Sequence, residues 1–418
     1  MGKHEDRWQG WRMESHDAAK RYRHGTHRVC FPEETLARLK PLLPAMGITR
    51  VANVTGLDRT GIHVVTVCRP NARSISVSQG KGVTLAAAKA SGIMEAAEVW
   101  HAERILNPLK LASTAEMRAA HRVIDLDGLP RSNGARHNEA LPLLWIEGHD
   151  LLEQVAVWVP FEAVSANYTL PLPPGTGCFQ SNTKGLASGN HALEAIVHGL
   201  CEVVERDAKT LWQLRSLASH GGRRLLDLDT VNDPDCTDII DRFSAAGLRV
   251  RVWDVTTDIG IAAFVCTVMG DGEDAADPEF GAGCHPTRNV ALLRALTEAG
   301  QARNTYISGS RDDYFPKLYT VEQRAAREAF FRCLFALPDM LRPFGEVPTF
   351  ESESLQDDIE WALERLQSAR LKVIAVDLTN EAIGIPVIRV IVPGLAGLLE
   401  EGKDDPVLQS RVRRLGMQ

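Results

Sequence analysis

Short apolar runs alternate with longer stretches of helical periodicity along most of the chain. Runs rich in β-branched residues, separated by turns that contain Gly or Pro, predict strands. These strands are expected at Val51–Val54, Ile62–Val67, Ser74–Val77, Leu143–Ile146, Val155–Val159, Leu248–Trp253, Ile261–Thr267, Val373–Val376 and Val387–Val392. Stretches with apolar residues three and four positions apart predict helices. These helices are expected from Pro32 to about Leu43, Thr84 to Ile105, Ala192 to Leu214, Ile239 to Phe243, Arg288 to Ile307, Glu322 to Leu337 and Ile359 to Ser368. The mixture predicts an α/β or mixed α+β fold with helices packed on sheets.

Composition narrows the class of protein. The chain has 418 residues, of which 44% are hydrophobic and 24% charged, as in globular proteins, and this excludes a disordered or fibrous chain. A net charge of −7 argues against sequence-independent nucleic-acid binding. No apolar run reaches the ~18 residues of a membrane helix, and the charged segment Met1–Arg7 has no secretory h-region behind it. The eight cysteines form no CxxC pair, which favours reduced thiols in a cytoplasmic protein.

Domain boundaries are weakly marked, because no linker rich in Gly and Ser divides the chain. We expect an N-terminal arm and helix at residues 1–45, a catalytic unit at 46–400 and a C-terminal tail at 401–418. Residues 1–30 are rich in charge and histidine, so they are expected to form a flexible or peripheral arm. The spacing of their histidines fits no metal-ligand pattern.

An internal similarity suggests two related halves. Lys81-Gly82 precedes a helix bearing Glu95-x-x-Glu98, and Lys184-Gly185 precedes a helix bearing Glu202-x-x-Glu205. Glycines before a helix let backbone N–H groups approach an anion. The two loops concerned are Ser78–Gly82 and Lys184–Asn190. We therefore expect two strand–loop–helix halves facing one site, with chance similarity between Ala-rich helices as the alternative.

Polar side chains form a stripe on each of three predicted helices, because residues three, four, seven or eight positions apart share a face. The stripes are Ser91, Glu95 and Glu98; Glu194, His198, Glu202 and Glu205; and Arg294, Glu298 and Gln301, with Arg303 close behind. A solvated helix face is the ordinary explanation of such a stripe. Here, however, the other faces are apolar, and neighbouring acids without interleaved lysines repel one another.

Acids on buried helices need cations, and Mg²⁺ accepts carboxylate and phosphate oxygens together. Lys81, Arg206 and Arg303 are close in sequence to these acids. The pattern therefore predicts a nucleotide triphosphate held through metal ions. His198 lies within the second stripe and is a candidate general base, with a structural histidine as the alternative.

Five motifs in this order resemble the YcaO family. They are Ser91–Glu98 (SxxxExxE), Gly185–Glu194, Glu202–Asp207, Arg294–Arg303, and Asp377–Thr379 with Ile385–Val390. The resemblance extends from about Val51 to Gly397. It implies a YcaO-type fold with two related halves around an ATP and Mg²⁺ site. It also implies an enzyme that activates a peptide backbone amide: a nucleophile adds to the carbonyl, ATP phosphorylates the oxyanion, and phosphate leaves.

The resemblance also implies residue roles. Mg²⁺ would be held by Glu95, Glu98, Glu202 and Glu205. Metal or nucleotide would be contacted by Ser91, Asn190, Glu194, Arg206, Gln301 and Arg303, and Lys81 joins this cofactor-binding set. The predicted catalytic residues are Glu194, Glu202 and His198. The family often has Arg directly after the first ExxE, where this chain has Val99, so Arg69 or Arg73 would have to replace it.

Two features favour thioamide formation over azoline formation. Azoline-forming members resemble one another in a proline-rich C-terminal tail, whereas residues 402–418 contain a single proline, Pro406. The stretch Met46–Asp58 resembles the subgroup associated with a TfuA-type partner and with thioamidation. We therefore expect a peptide or protein substrate, a TfuA-like partner and a separate leader-recognition partner. A homodimer is the base-rate expectation for a cytoplasmic enzyme.

Three alternatives remain. The first is an azoline-forming cyclodehydratase acting on Cys, Ser or Thr of a ribosomal peptide. The second is a non-catalytic ATP-binding accessory protein, against which the retention of every motif acid counts. The third is an ATP-grasp or amide ligase, which only shared ATP use supports.

Overall fold

The structure is a computed structural model that describes residues 18–132, 135, 137–218, 223–270, 278–336, 339–397 and 405–417. Its α-helices are α1 (Pro32–Leu39), α2 (Leu85–Ala102), α3 (Thr114–Ala120), α4 (Ala192–Ala218), α5 (Pro234–Ala245), α6 (Arg288–Ser308), α7 (Val321–Ala336), α8 (Leu355–Ser368) and α9 (Pro406–Arg414). Its strands are β1 (Arg50–Asn53), β2 (His63–Cys68), β3 (Val77–Gly82), β4 (Leu109–Ser113), β5 (Pro142–Asp150), β6 (Val155–Pro160), β7 (Leu186–Ser188), β8 (Arg224–Asp227), β9 (Leu248–Asp254), β10 (Ala263–Gly270), β11 (Glu279–Cys284), β12 (Met340–Pro343), β13 (Ile374–Asp377) and β14 (Val387–Ile391). Among the described residues, no helix combines the length and apolarity needed to cross a membrane.

Three mainly antiparallel sheets carry the helices, which confirms the predicted mixture of helices packed on sheets. The first sheet has the order β1-β2-β3, and the second has the order β11-β10-β9-β8-β12, in which β8 and β12 are parallel. The third has the order β4-β5-β13-β14-β7, and β6 also pairs with β5. Apolar residues of α4 such as Ile196, Leu200 and Val204 are almost fully buried in one core with residues of β10, β14 and α8. The acidic helix α4 therefore runs through the centre of the molecule.

Strand β3 occupies a position where we expected a phosphate-binding loop. Residues 77–82 pair with β2, and Gly80 lies directly against α2: a Cβ atom there would come within 2.0 Å of the Ala88 carbonyl oxygen. The glycines of Ser78–Gly82 thus let a helix pack on its strand rather than cradle an anion. Thr84 caps α2 by accepting a hydrogen bond from the Ala87 N–H.

The expected pair of strand–helix units is extended by a third. Strand β11 leads into α6, and Cβ atoms at Gly281 and Gly283 would each come within 2.1 Å of a carbonyl oxygen of α6. Sequence patterning missed β11 because its glycines have no apolar side chain to contribute to the pattern. The units β3–α2, β7–α4 and β11–α6 together carry all three polar stripes.

The expectation of a flexible or peripheral arm is wrong for residues 18–31, which we call the N-terminal strap. Lys20 Nζ donates to Asp358 Oδ1 at 2.8 Å, and both side chains are fully buried. Gly25 packs against Val83 and Leu293. The charged composition of the strap led to the wrong prediction, because Lys20 is buried against the carboxylate of Asp358, 338 residues further along the chain.

The C-terminal segment also docks on the fold. Residues 406–414 form α9, and Arg411 there makes ion pairs with Asp207 on α4 and with Asp258. Arg411 and Asp207 are completely buried. The last described helix therefore anchors the C-terminal half of α4.

Candidate active site

The three polar stripes converge on one cavity of about 630 Å³, which we call the central cavity. It lies between β3, α2, α4 and α6, and the N-terminal strap forms part of its wall. Almost all predicted site residues line it: Lys81, Ser91, Glu95, Glu98, Asn190, Glu194, His198, Glu202, Glu205, Arg206 and Gln301. The stripes are therefore the walls of a shared cavity rather than separate solvated faces.

The carboxylates of Glu95 and Glu98 on α2 have few positively charged partners. Desolvation inside the cavity raises the pKa of Glu95 to about 7, against the opposing field of Arg311 and Lys81. Desolvation, followed by repulsion from Glu95, raises the pKa of Glu98 to about 8. The Ser188 N–H and hydroxyl donate to Glu98 Oε1 at 2.9 and 2.8 Å. These carboxyl groups hold protons near neutral pH unless a cation joins them.

Glu202 and Glu205 on α4 line the same cavity, and with Glu95 and Glu98 they form what we call the acidic wall. Desolvation and repulsion from Glu298 raise the pKa of Glu205 to about 7. Its Oε2 atom is buried without a hydrogen-bond partner among the described residues. Glu202 accepts from the Gly185 N–H at 3.2 Å and from Arg206 Nη2 at 3.4 Å. A desolvated carboxylate with an orphaned oxygen beside other carboxylates is the donor set that a divalent cation requires, so these residues fit Mg²⁺.

Glu298 on α6 has the opposite environment. Burial would raise the pKa of its carboxyl, but Lys81 Nζ donates to Glu298 Oε2 at 2.5 Å and, with Lys209 and Arg206, holds the pKa at about 2. Glu298 therefore stays ionised and joins β3 to α6. Lys81 and Arg206 also act on Glu205, so the cations around Glu298 lie within reach of the acids on α4.

Glu194 fastens the strap to α4, and Asn190 fastens α1 to the segment that precedes α4. Glu194 Oε1 accepts from the Val29 N–H at 2.6 Å, and its Oε2 accepts from the Asn190 N–H at 2.7 Å. Asn190 Oδ1 accepts from Thr35 Oγ1 at 3.0 Å and from Arg38 Nη2 at 2.9 Å. Both oxygens of Glu194 are thus occupied by backbone donors, which makes it a positioning residue in this arrangement.

The structure disfavours His198 as a general base. Its Nε2 atom lies 3.2 Å from Arg294 Nη2. Burial, followed by repulsion from Arg294, lowers its pKa well below the usual range. A histidine of such low basicity is a weak proton acceptor near neutral pH.

Gln301 and Arg303 on α6 were both predicted at the site, but only Gln301 lies there. Gln301 lines the cavity and donates to the Gln79 carbonyl oxygen at 3.0 Å. Arg303 does not line it: its guanidinium forms a buried ion pair with Asp58, with two contacts of 2.9 Å. Residues two apart on a helix differ in direction by about 200°, so Arg303 faces away from Gln301. The predicted nucleotide contact of Arg303 is corrected to a structural ion pair.

The proposed replacements for the arginine absent at Val99 are also corrected. Arg69 makes two hydrogen bonds to Glu103, of 2.7 and 2.6 Å, and Arg73 donates to the Glu103 carbonyl oxygen at 3.3 Å. Neither lines the cavity. The cation that most offsets Glu95 is Arg311, which follows α6 and which the sequence reasoning missed.

Further residues that line the cavity were not predicted from the sequence. Glu279 and Phe280 come from β11, Tyr314 comes from the segment after α6, and Lys209 comes from α4. Only Lys209 could have been found, because it continues the α4 stripe by one turn.

A separate buried group contains His27, His285 and Asp358, whose ligand atoms lie close enough to share a metal ion. Lys20 already supplies a cation to Asp358 at 2.8 Å. His285 Nδ1 accepts a hydrogen bond from the Thr287 N–H at 3.0 Å, so the proton of the neutral ring lies on Nε2. These contacts assign the group to packing of the strap.

A family model described as YcaO cyclodehydratase, ATP- and Mg²⁺-binding, matches residues 79–396. The chain belongs to the YcaO family. A protein from Rhizobium leguminosarum bv. trifolii, named for its place in the tfuA 3′ region, is 38% identical over 88% of this chain and 88% of its own length. The predicted family and its cofactors, ATP and Mg²⁺, are confirmed by these matches.

Two solved structures share the YcaO fold with this chain. A heterocyclase in complex with substrate and cofactor matches with a TM-score of 0.77 and 24% identity over 97% of this chain, which spans 58% of the heterocyclase. YcaO from Methanopyrus kandleri, bound with AMPPCP and Mg²⁺, matches with a TM-score of 0.71 and 24% identity, over 91% of this chain and 95% of that one. The predicted YcaO-type fold is thereby confirmed.

Proposed function

We propose that this YcaO protein uses ATP to O-phosphorylate a backbone amide of a peptide and, with a TfuA-type partner, replaces the amide oxygen by sulfur. The observation that carries the proposal is the convergence of desolvated glutamates from α2 and α4 on one cavity that is also lined by Lys81, Arg206 and Lys209. That arrangement complements a triphosphate with bound Mg²⁺. The relative from the tfuA 3′ region supports the choice of partner.

The chemistry balances with an external sulfur donor. Hydrosulfide adds to the amide carbon, and the carbonyl becomes an oxyanion. Transfer of the γ-phosphoryl group of ATP to that oxygen releases ADP and creates a good leaving group. Loss of the S–H proton and departure of phosphate then give the thioamide. No protein nucleophile is required, so the enzyme has mainly to position reactants and stabilise charge.

Different residues of the cavity would bind Mg²⁺, contact the phosphates and position the cavity wall. Glu95, Glu98, Glu202 and Glu205 would hold Mg²⁺, which neutralises charge on the transferring phosphoryl group. Lys81 and Arg206 lie in the cavity where they would contact phosphate oxygens, and Ser91 and Gln301 line the same space. Asn190 and Glu194 would keep the wall in place. The cavity volume of about 630 Å³ lies within the range of roughly 300–1,000 Å³ typical of ligand sites.

Azoline formation is the second candidate, because this chain shares its fold with a heterocyclase. It uses the same activation, but the nucleophile is a Cys, Ser or Thr side chain of the substrate. In the members that form azolines, the C-terminal tail reaches the active site. Here no residue of α9 lines the described cavity, and Arg411 docks that helix on Asp207. The resemblance of Met46–Asp58 to the TfuA-associated subgroup favours an external nucleophile.

The test is reconstitution with mass spectrometry. The protein is incubated with a TfuA-like protein, a candidate peptide, ATP, Mg²⁺ and sulfide. We expect a mass gain equal to replacement of oxygen by sulfur, one ADP per modified amide, and no product with Glu202→Gln. Loss of water without sulfide would support azoline formation instead. The absence of both a mass change and peptide-stimulated ATP hydrolysis would support an accessory role. Light scattering of the same sample tests the expected homodimer.

A further inference from the structure

The cationic side chains that line the central cavity differ in whether they have a hydrogen-bond or ion-pair partner. Lys81 contacts Glu298 at 2.5 Å, Arg206 contacts Glu202 at 3.4 Å and Arg294 contacts His198 at 3.2 Å. Arg311 is bound to Asp313 at 2.6 Å. Lys209 lines the same cavity and has no hydrogen bond or ion pair with another residue in the described ranges.

Lys209 is placed by the helix that carries the metal-binding acids. It follows Glu205 by four residues and Glu202 by seven, so it lies on the same face of α4 one turn further along. Its side chain is half-buried, and its charge helps to hold the pKa of Glu298 low. The ammonium therefore belongs to the cationic region around Glu298 rather than to bulk solvent.

These cations lie among the carboxylates of the cavity. Lys81, Arg206 and Lys209 all act on Glu298, and Lys81 and Arg206 also act on Glu205. Arg206 makes a further contact to Glu202. Cations and carboxylates that fit Mg²⁺ thus line one cavity, and a polyphosphate carrying Mg²⁺ would contact both. A lysine acts on phosphate as a flexible point charge, so it needs no fixed fork geometry.

We propose that Lys209 is a further nucleotide-binding residue, whose ammonium contacts the non-bridging oxygens of the β- and γ-phosphates of ATP. The inference rests on the nucleotide-binding part of the proposed function and does not depend on the sulfur chemistry. It assigns the charge of Lys209 to the part of ATP that AMP lacks. Lys209 would thus distinguish the triphosphate from AMP.

The test measures binding without turnover. A fluorescent, non-hydrolysable ATP analogue is titrated with Mg²⁺ into the wild-type chain, Lys209→Met and Lys209→Arg, and AMP is titrated in parallel. We expect Lys209→Met to weaken binding of the analogue by roughly 10- to 100-fold, since a hydrogen bond to a charged group is lost. AMP lacks the β- and γ-phosphates, so its binding to Lys209→Met should stay within about threefold of wild type. Lys209→Arg should recover most of the affinity for the analogue.

Lys40→Met is the matched control, because Lys40 is exposed beyond the end of α1 and its loss changes the net charge equally. Thermal unfolding verifies that each variant folds, and Lys209→Gln replaces Lys209→Met if the latter does not. The proposal is overturned if the folded variant binds the analogue with wild-type affinity, or loses AMP binding to the same extent. Because no peptide or sulfur donor is present, a negative result leaves the amide-activation proposal standing, and failure of thioamidation leaves this result standing.

Discussion

The Val29 N–H donates to Glu194 Oε1 across 2.6 Å, which fastens the N-terminal strap to the acidic helix α4. The other oxygen of Glu194 accepts from the Asn190 N–H, so the carboxylate joins two segments of the cavity wall. A glutamine in this position keeps only one acceptor and turns an N–H toward the other donor.

We therefore expect Glu194→Gln to destabilise the protein by about 1–3 kcal/mol, the cost of an unsatisfied buried donor. Binding of an ATP analogue should weaken as well, because the strap forms part of the cavity wall. Urea unfolding and analogue titration measure the two effects. Glu33→Gln, on the exposed side of α1, is the control and should change neither. Wild-type stability in Glu194→Gln would mean that the strap does not depend on this bond.

The raised pKa values on the acidic wall predict how Mg²⁺ binding depends on pH. Glu95 and Glu205 titrate at about 7 and Glu98 at about 8, above the value of about 4.3 for an unfolded glutamate. Raised pKa values give stability that is present at low pH and is lost as pH rises through 7 to 8. Mg²⁺ requires the deprotonated groups, so its affinity should increase over the same interval.

Thermal unfolding with EDTA and with Mg²⁺ at several pH values provides the measurement. The rise in Tm produced by Mg²⁺ should be larger at pH about 8.5 than at pH about 6. Subtracting the Tm in EDTA from the Tm in Mg²⁺ at each pH cancels the effect of groups that do not bind the metal, such as the buried histidines. An equal rise at both pH values would contradict the assignment of these glutamates.

Removing one acid should abolish catalysis without unfolding the chain. Glu95→Gln and Glu202→Gln each replace a negative ligand by a neutral one, and we expect ATP turnover to fall by at least about 100-fold. Repulsion within the cluster decreases at the same time, so the metal-free Tm should not fall for Glu95→Gln. A coupled ADP assay gives the rates, with Glu322→Gln on the exposed start of α7 as control. Turnover near the wild-type rate in either variant would exclude that residue as an essential ligand.

Gly80 should tolerate no side chain. A Cβ atom there would lie 2.0 Å from the Ala88 carbonyl oxygen and 2.2 Å from the Gly92 nitrogen, both of which belong to the backbone of α2. We expect Gly80→Ala to prevent accumulation of folded protein or to lower stability by several kcal/mol, since neither backbone can move independently. At Gly56 a Cβ would meet nothing within 4 Å, so Gly56→Ala should be close to wild type. Soluble yield and circular dichroism distinguish the two variants.

Local periodicity was enough to predict the stripes on α2, α4 and α6, because residues on one helix face are fixed by spacing alone. It could not predict that Arg311, Glu279 and Tyr314 would reach the same cavity, since the tertiary fold brings them there. The polar strap was misread because composition does not reveal that Lys20 finds Asp358. The placement of Arg303 was different, since a two-residue offset from Gln301 already put it on the other face of α6.

Strand β3 contacts both α2, which carries Glu95 and Glu98, and α6, which carries Glu298 and Gln301. Gly80 and Gly82 face α2, while Lys81 reaches Glu298 on α6 and the backbone of Gln79 receives Gln301. Because side chains alternate along a strand, an insertion of one residue ahead of β3 that shifted its pairing would point lysine into α2 and glycine toward α6. A change in the length of the β2–β3 hairpin would therefore disturb the contacts of β3 with α2 and with α6 at the same time.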